Sequence, residues 1–303
     1  MRLIYSSRYE IDIGPHVFPT KKYRLIKEKL IEEGIAKESD FFEPEPESFE
    51  ELKIVHTEEY LDDLKNLRWT RRTMFSELPL NKEVVDFYLI GARGTYLAAL
   101  DALEKGLGIH IGGGWHHAFA DKAEGFCYIN DLAYAVKRLK KENKIKGALV
   151  IDLDVHQGNG TAKIFENDED VFTFSIHQED LYPVPKQRSD LDIGLWSGTG
   201  EKEYLEVLEE SLSKIFEGRT FDLVLYQAGA DPYEKDLLGN LRLTKEGLKK
   251  RDEIVRRYTL ERGFKVVITL GGGYSSDIRD LIEIHSNTIK VFLLWKRERQ
   301  SRM

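Results

Sequence analysis

A single cysteine, Cys127, stands in the 303 residues, so no internal disulfide framework can form and a reducing, cytoplasmic setting is expected. No apolar run approaches the roughly 20 residues that cross a bilayer. The opening stretch MRLIYSSRY lacks the layout of a secretory leader, and no membrane association is expected. Basic charge is not in excess either. A net charge of −8 argues against nucleic acid as the main partner and leaves room for basic protein or polyamine-like substrates. Neither GxGxxG nor a Walker lysine occurs, which sets nucleotide binding aside. Without internal repeats, low-complexity tracts or breaks in composition, the chain reads as one domain over 1–303, monomeric, with no obligate partner evident.

What is present is a large apolar fraction, 41%, arranged in alternating patterns. Strands are expected at 2–5, 108–111, 147–152, 171–176, 221–226, 265–270 and 289–294. Helices are expected at 20–33, 54–67, 82–103, 129–141, 160–167, 202–216, 244–262 and 279–285, with Thr20 and Thr57 as cap signals. The segment FEPEPESFEE, 42–51, is an acidic surface connector, and DIGPHVFP, 12–19, is a turn-rich loop carrying His16. Continuous apolar strands such as DLVLY and VVITL suit burial on both faces. Alternation with helices then gives a parallel sheet covered on both sides.

Chemistry concentrates where such strands end. In IDLDVHQG, Ile151–Gly158, Asp152, Asp154 and His156 leave a β-branched run at alternate positions, opposite Leu153 and Val155. The carboxyl end of a parallel strand is where ligands bind in open α/β sheets. Asp-x-His at that place suits a divalent metal such as zinc, although two helix-capping aspartates and an ordinary loop histidine would read the same. Three further strand ends carry polar segments: GGGWHHAF (112–119), QAGAD (227–231) and GGGYSS (271–276). A catalytic zinc takes three protein ligands and keeps a position open, and Asp231 is the candidate third. His116 and His117 are either unrelated loop residues or an acid–base pair, with Asp152 orienting one ring and Asn159 the other. Tyr274, after three glycines, is placed to donate to an oxyanion. Cys127 in EGFCY is the alternative nucleophile, or simply a buried thiol.

With these residues in hand, the chain resembles the histone deacetylase family of the arginase/deacetylase fold, most closely class IV members and their bacterial relatives. The resemblance runs through IYSSRY, VHTEEYL, GGGWHHAF, GFCYIND, DLDVHQGNG, FSIH, QAGAD and LGGGY. It implies a three-layer α/β/α sandwich around an eight-stranded parallel sheet, and a zinc-dependent amidohydrolase acting on acylated amines, with acetyl- or longer acyl-lysine in proteins or peptides foremost. Carried over by position, one Zn2+ per chain would be held by Asp154, His156 and Asp231. His116 and His117 would flank the attacking water, and Tyr274 would bind the acyl oxygen. Asp152 would orient His116 and would join a structural K+ site with the backbone of Asp154 and His156 and with Ser175 and Ile176. Phe126 and Tyr182 would wall a substrate tunnel, with Gly125 and Gly272 along it and Leu238 at the rim. Asn159 departs from class I enzymes, which carry an aspartate there; an amide cannot take negative charge, so His117 should hold a proton less firmly.

Rival readings share much of this pattern. A ureohydrolase on the same fold would need carboxylates at positions occupied by Gly158 and Tyr233. A small acyl-amine hydrolase, such as one acting on acetylpolyamines, shares the zinc chemistry, and a non-catalytic acyl-lysine binding protein shares the fold. The loop over 74–81 is expected at the tunnel rim.

Overall fold

The computed structural model describes residues 2–301, so the termini of the expected 1–303 unit, Met1, Arg302 and Met303, lie outside the described residues. The first third of the chain forms β1 (Leu3–Ile4), α1 (Lys22–Glu32), β2 (Phe41–Phe42), α2 (Phe49–Leu52), α3 (Glu58–Lys65), α4 (Lys82–Lys105) and β3 (Leu107–His110). The middle forms α5 (Asp131–Lys141), β4 (Ala148–Asp152), α6 (Asn159–Phe165), β5 (Val171–Gln178) and β6 (Leu191–Leu195). The last part forms α7 (Glu201–Ile215), β7 (Leu223–Gln227), α8 (Lys245–Tyr258), β8 (Val266–Thr269) and α9 (Ile278–Ser301).

The strands pair in parallel throughout, in the order β2-β1-β3-β8-β7-β4-β5-β6. Residues of β3, β4, β7 and β8 are buried without exception, as continuous apolar runs require when both faces are covered. Each such Val, Leu or Ile contributes roughly 1.5–3 kcal/mol by leaving water. One helical layer is α4, α5 and α6, with α4 lying along β1, β3, β7 and β8. The other is α1, α9, α8 and α7 packed in that order, with α9 against β3. The sheet is the middle layer of the three-layer sandwich.

Local chemistry starts the helices where the chain must turn back. Thr57, Asn81, Asn130 and Thr244 each accept a backbone N–H bond at the head of α3, α4, α5 and α8. Thr20 does not act as a cap; its hydroxyl donates to Ile11 O at 2.8 Å, and α1 begins two residues later. Gly91 is required by packing, since a Cβ there would lie 1.9 Å from the Trp115 ring.

One expectation is corrected and two strands are added. Residues 289–294 are helical, inside α9, because Leu281, Ile284, His285, Thr288, Ile289 and Phe292 form one buried face at helical spacing. A short apolar run does not by itself distinguish that pattern from a strand. The strands β2 and β6 were not foreseen: β2 is two residues long, and β6, LDIGL, is an edge strand of mostly half-buried residues without a strong apolar run. Among the described residues no helix is long and apolar enough to cross a membrane.

Topology decides where the site lies. Strands β3, β8, β7 and β4 are neighbours although they are far apart in sequence, and the segments after them are GGGWHHAF, GGGYSS, QAGAD and DLDVHQG. All four therefore emerge side by side at one sheet edge.

Candidate active site

Asp154, His156 and Asp231 meet at that edge, each buried and each offering a ligand atom within 4.8 Å of the others'. Their positions are set by hydrogen bonds to the surrounding loops. Asp154 Oδ2 accepts from Gln227 Nε2 at 2.8 Å and from the N–H of Gly272 at 2.9 Å, while Oδ1 accepts from the N–H of His156 at 3.0 Å. Asp231 Oδ1 accepts from the N–H of Val155 at 2.8 Å. Below them, fully buried Arg251 pairs with Asp252 and donates to Gly229 O at 2.6 Å and Leu153 O at 3.4 Å, tying the two ligand-bearing loops together.

The remaining oxygen, Asp231 Oδ2, is fully buried and makes no hydrogen bond; His156 Nδ1 lies 3.3 Å away, outside hydrogen-bonding geometry. Burial and the neighbouring Asp154 push the Asp231 carboxyl up to about 8. Burial works against a charge on His156, yet Asp154 and Asp231 raise it to about 10. Carboxylates crowded in a dry site call for a positive charge, and a divalent ion on this oxygen and nitrogen donor set satisfies that demand. The three residues fit a metal.

The two histidines stand beside this group with ring centroids 4.1 Å apart. His116 Nδ1 bonds Asp152 Oδ2 at 2.6 Å, and its Nε2 lies 3.9 Å from Asp154 Oδ1. His117 Nδ1 bonds Asn159 Oδ1 at 2.7 Å. Burial opposes a charge on His116, but Asp152 and Asp154 outweigh it and raise the group to about 9. Burial and the adjacent His116 and His156 hold His117 well below the usual histidine range. In the metal-free protein the surroundings favour a charged His116 and a neutral His117.

A cavity of about 300 Å³ leads to these groups, lined by His117, His156, Gly125, Phe126, Tyr182, Leu181, Leu238, Tyr274 and Glu77. Tyr274 sits against both the metal group and the wall, its ring centroid 6.3 Å from His156 and 5.9 Å from Phe126. Burial, then Asp154 and Asp231, push its phenol well above the ordinary range, so it stays a donor. Gly272 lies against the cluster, where a Cβ would fall 2.2 Å from Asp231 Oδ2, and borders a small cavity with His117, Gly125, Phe126 and Tyr274. The 74–81 loop does reach the rim: Phe75 O and Ser76 O accept from the N–H groups of Gly125 and Phe126. His16 meets Phe126 edge-on at 4.7 Å. Cys127 is buried, donates to Gly125 O at 3.2 Å and has its thiol pushed far up by burial, the opposite of an activated nucleophile.

Asp152 pairs with Ser175 across β4 and β5, with Ile176 next in register. Four residues escaped the sequence reading. Glu124 accepts from Asn159 and Tyr182; Asp236 accepts from the N–H of Tyr274; Glu77 stands at the tunnel mouth; Lys22, fully buried, donates to Gly271 O at 2.7 Å. Glu124 opens the EGFCY stretch and Glu77 lies in the 74–81 loop, but neither carboxylate was given a role, and Lys22 reads as one more polar position of α1.

The sheet order, the layers and the strand-end site define a parallel α/β/α protein of the arginase/deacetylase type. Residues 16–289 match the histone deacetylase domain, and the chain belongs to the histone deacetylase family. It is 39% identical over 286 residues to an uncharacterized protein of Picosynechococcus sp., covering 94% of this chain and 95% of that one. It is 32% identical to histone deacetylase 2 of Arabidopsis thaliana, covering 90% and 74%. A solved structure of an HDAC homologue from Aquifex aeolicus superimposes with a TM-score of 0.82 at 26% identity, covering 96% of this chain and 83% of that one.

Proposed function

We propose that this protein is a zinc-dependent deacylase that hydrolyses the amide of acylated lysine in peptides or proteins. The observation that carries the reading is the buried, unpartnered Oδ2 of Asp231 beside Asp154 and His156 at the floor of an apolar tunnel. A dication held by these three residues supplies carbonyl polarisation and acidifies water. The rest is the work of the chain. Phe126, Leu181, Tyr182 and Leu238 offer apolar walls to an alkyl chain. His117 is neutral, its Nδ1–H is committed to Asn159, and its free Nε2 takes the proton of the attacking water. His116, whose Nδ1 is held by the Asp152 carboxylate, returns a proton to the departing amine. Water and amide thus become acid and amine. The Tyr274 phenol donates to the carbonyl oxygen as it gains charge. Asp152, Ser175 and Ile176, with the backbone of Asp154 and His156, are the groups that would hold a structural K+.

A second reading rests on Glu77. This non-glycine residue sits in the left-handed region, φ 62°, and turns an exposed carboxylate to the tunnel mouth. A carboxylate there favours a substrate whose next group beyond the amide is an ammonium, as in an acetylated polyamine. The ureohydrolase alternative finds no support: a side chain at Gly158 would collide with Asp152 at 2.2 Å, and Tyr233 OH turns away to donate to Asp280 at 3.0 Å.

The test is acid release by the zinc-loaded protein from peptides bearing acyl-lysine of increasing chain length, beside N-acetylated polyamines. Preference for peptides supports the proposal. Preference for polyamines replaces it with the second reading, and no release from any of them overturns both.

A further inference from the structure

Asn159 is a weak choice for orienting a base. An amide carries no charge, and rotated by half a turn it would present its NH2 to His117 Nδ1 in place of its oxygen. The imidazole would then have to accept at Nδ1 and carry its proton on Nε2, where no base function remains. Some other group has to fix the amide.

Glu124 does so. Its Oε1 accepts from Asn159 Nδ2 at 2.7 Å, and a carboxylate only accepts, so the amide nitrogen must face Glu124 and the amide oxygen must face His117. The same Oε1 takes the Tyr182 hydroxyl at 3.1 Å, and Oε2 pairs with Lys122 at 2.5 Å. The carboxylate is itself well placed: its side chain is 16% exposed. Glu124 and Cys127 exchange both backbone hydrogen bonds, 3.1 and 2.9 Å, across a two-residue turn whose central residues, Gly125 and Phe126, have φ of 49° and 58°. That turn is the tunnel wall. One rigid hairpin therefore carries both the wall and the carboxylate behind the histidine.

We infer that Glu124 is a positioning residue: through Asn159 it holds His117 in the Nδ1–H form, and through Tyr182 it locks the opposite wall of the tunnel to the same oxygen. The arrangement places a negative charge one amide away from the imidazole. It gives orientation without the charge-stabilisation that a directly bonded carboxylate would add. The catalytic consequence rests on the deacylase reading; the tautomer does not.

Two measurements separate these. In metal-free protein with 15N-labelled histidine, the His117 ring, assigned by comparison with a His117→Ala variant, is expected as the Nδ1–H tautomer. In Glu124→Ala it is expected to become a mixture or the Nε2–H form. An unchanged tautomer overturns the inference, whatever the enzyme's substrate. In the zinc-loaded enzyme, Glu124→Ala is expected to lower kcat about tenfold or more with KM little changed, a part of what a general base contributes. Adding Asn159→Asp to that background is expected to restore kcat, because both oxygens of a carboxylate accept and no second group is needed to orient it. Failure of that rescue also contradicts the inference. Should Glu124→Ala not fold, Glu124→Leu carries the same comparison, since a side chain of similar bulk offers Asn159 no acceptor.

Discussion

Asp236, five residues beyond Asp231, accepts the backbone N–H of Tyr274 at 2.7 Å on one carboxylate oxygen and the N–H groups of Leu238 and Gly239 on the other. Two loops from different strands are thereby joined, one bearing the Asp231 carboxylate and the rim, the other bearing the phenol. Asp236→Ala is expected to let Tyr274 drift and to lower kcat by about 10- to 100-fold, the order of loss that follows small misplacement of a reacting group. Zinc content, measured by elemental analysis, is expected to stay at the wild-type level. Loss of zinc with activity would assign Asp236 to the metal site instead.

Tyr274→Phe removes the phenol oxygen and nothing else. A drop in kcat of about 10²- to 10³-fold with unchanged metal affinity is expected for a lost oxyanion donor. Steady-state kinetics with near wild-type kcat would remove Tyr274 from the mechanism.

Ion binding should release protons. In the metal-free protein His156 is raised to about 10 by Asp154 and Asp231 against the effect of burial, and Asp231 is pushed to about 8 by burial and Asp154. Both hold protons more firmly than an ordinary histidine or aspartate, and an ion must displace what they hold, so affinity is expected to rise with pH and a non-zero number of protons to be released per zinc. Calorimetry in buffers of different ionisation enthalpy reads that number, and no release contradicts the assignment.

Acid should unfold the protein through histidines held neutral. His110 is bound by Tyr9 at 2.7 Å and Thr95 at 2.9 Å. Thr95 gives its own proton to Asp131, so His110 donates at Nδ1 and accepts at Nε2. His56 bonds Phe119 O and accepts from the N–H of Asn130. Burial holds His110 and His177 down to about 3 and His56 to about 4. The unfolded chain takes these protons near pH 6.5 and the folded chain does not, so stability is whole above that pH and declines as pH falls towards 4. Each buried histidine contributes a slope of roughly 1.4 kcal/mol per pH unit in that window. Urea unfolding at pH 7, 6 and 5 is expected to show the decline; a constant midpoint would contradict it.

How much of this was legible in the sequence depended on whether a residue's surroundings are local. DLDVH and the Asp231 turn could be read because the strand before each is a buried apolar run, and alternation fixes which side chains leave together. His116 and His117 drew notice as a pair. Glu124 could not be read: its partners Asn159 and Tyr182 lie 35 and 58 residues away, and only the EGFC turn brings its carboxylate to the amide. Asp236 and Lys22 act on backbone groups, which leave no trace in residue type. Residues 289–294 went astray because Ile289, Val291, Phe292 and Leu293 are equally good strand or helix residues until the buried face from Leu281 onward is seen whole.

The most direct test of the account is titration of zinc into metal-stripped protein while acid release from an acetyl-lysine peptide is followed, with Asp231→Ala alongside. The expected result is release that climbs with zinc and levels off near about one ion per chain, with none in the variant. Release by the stripped protein, or undiminished release by Asp231→Ala, would contradict the metal site on which the whole reading depends.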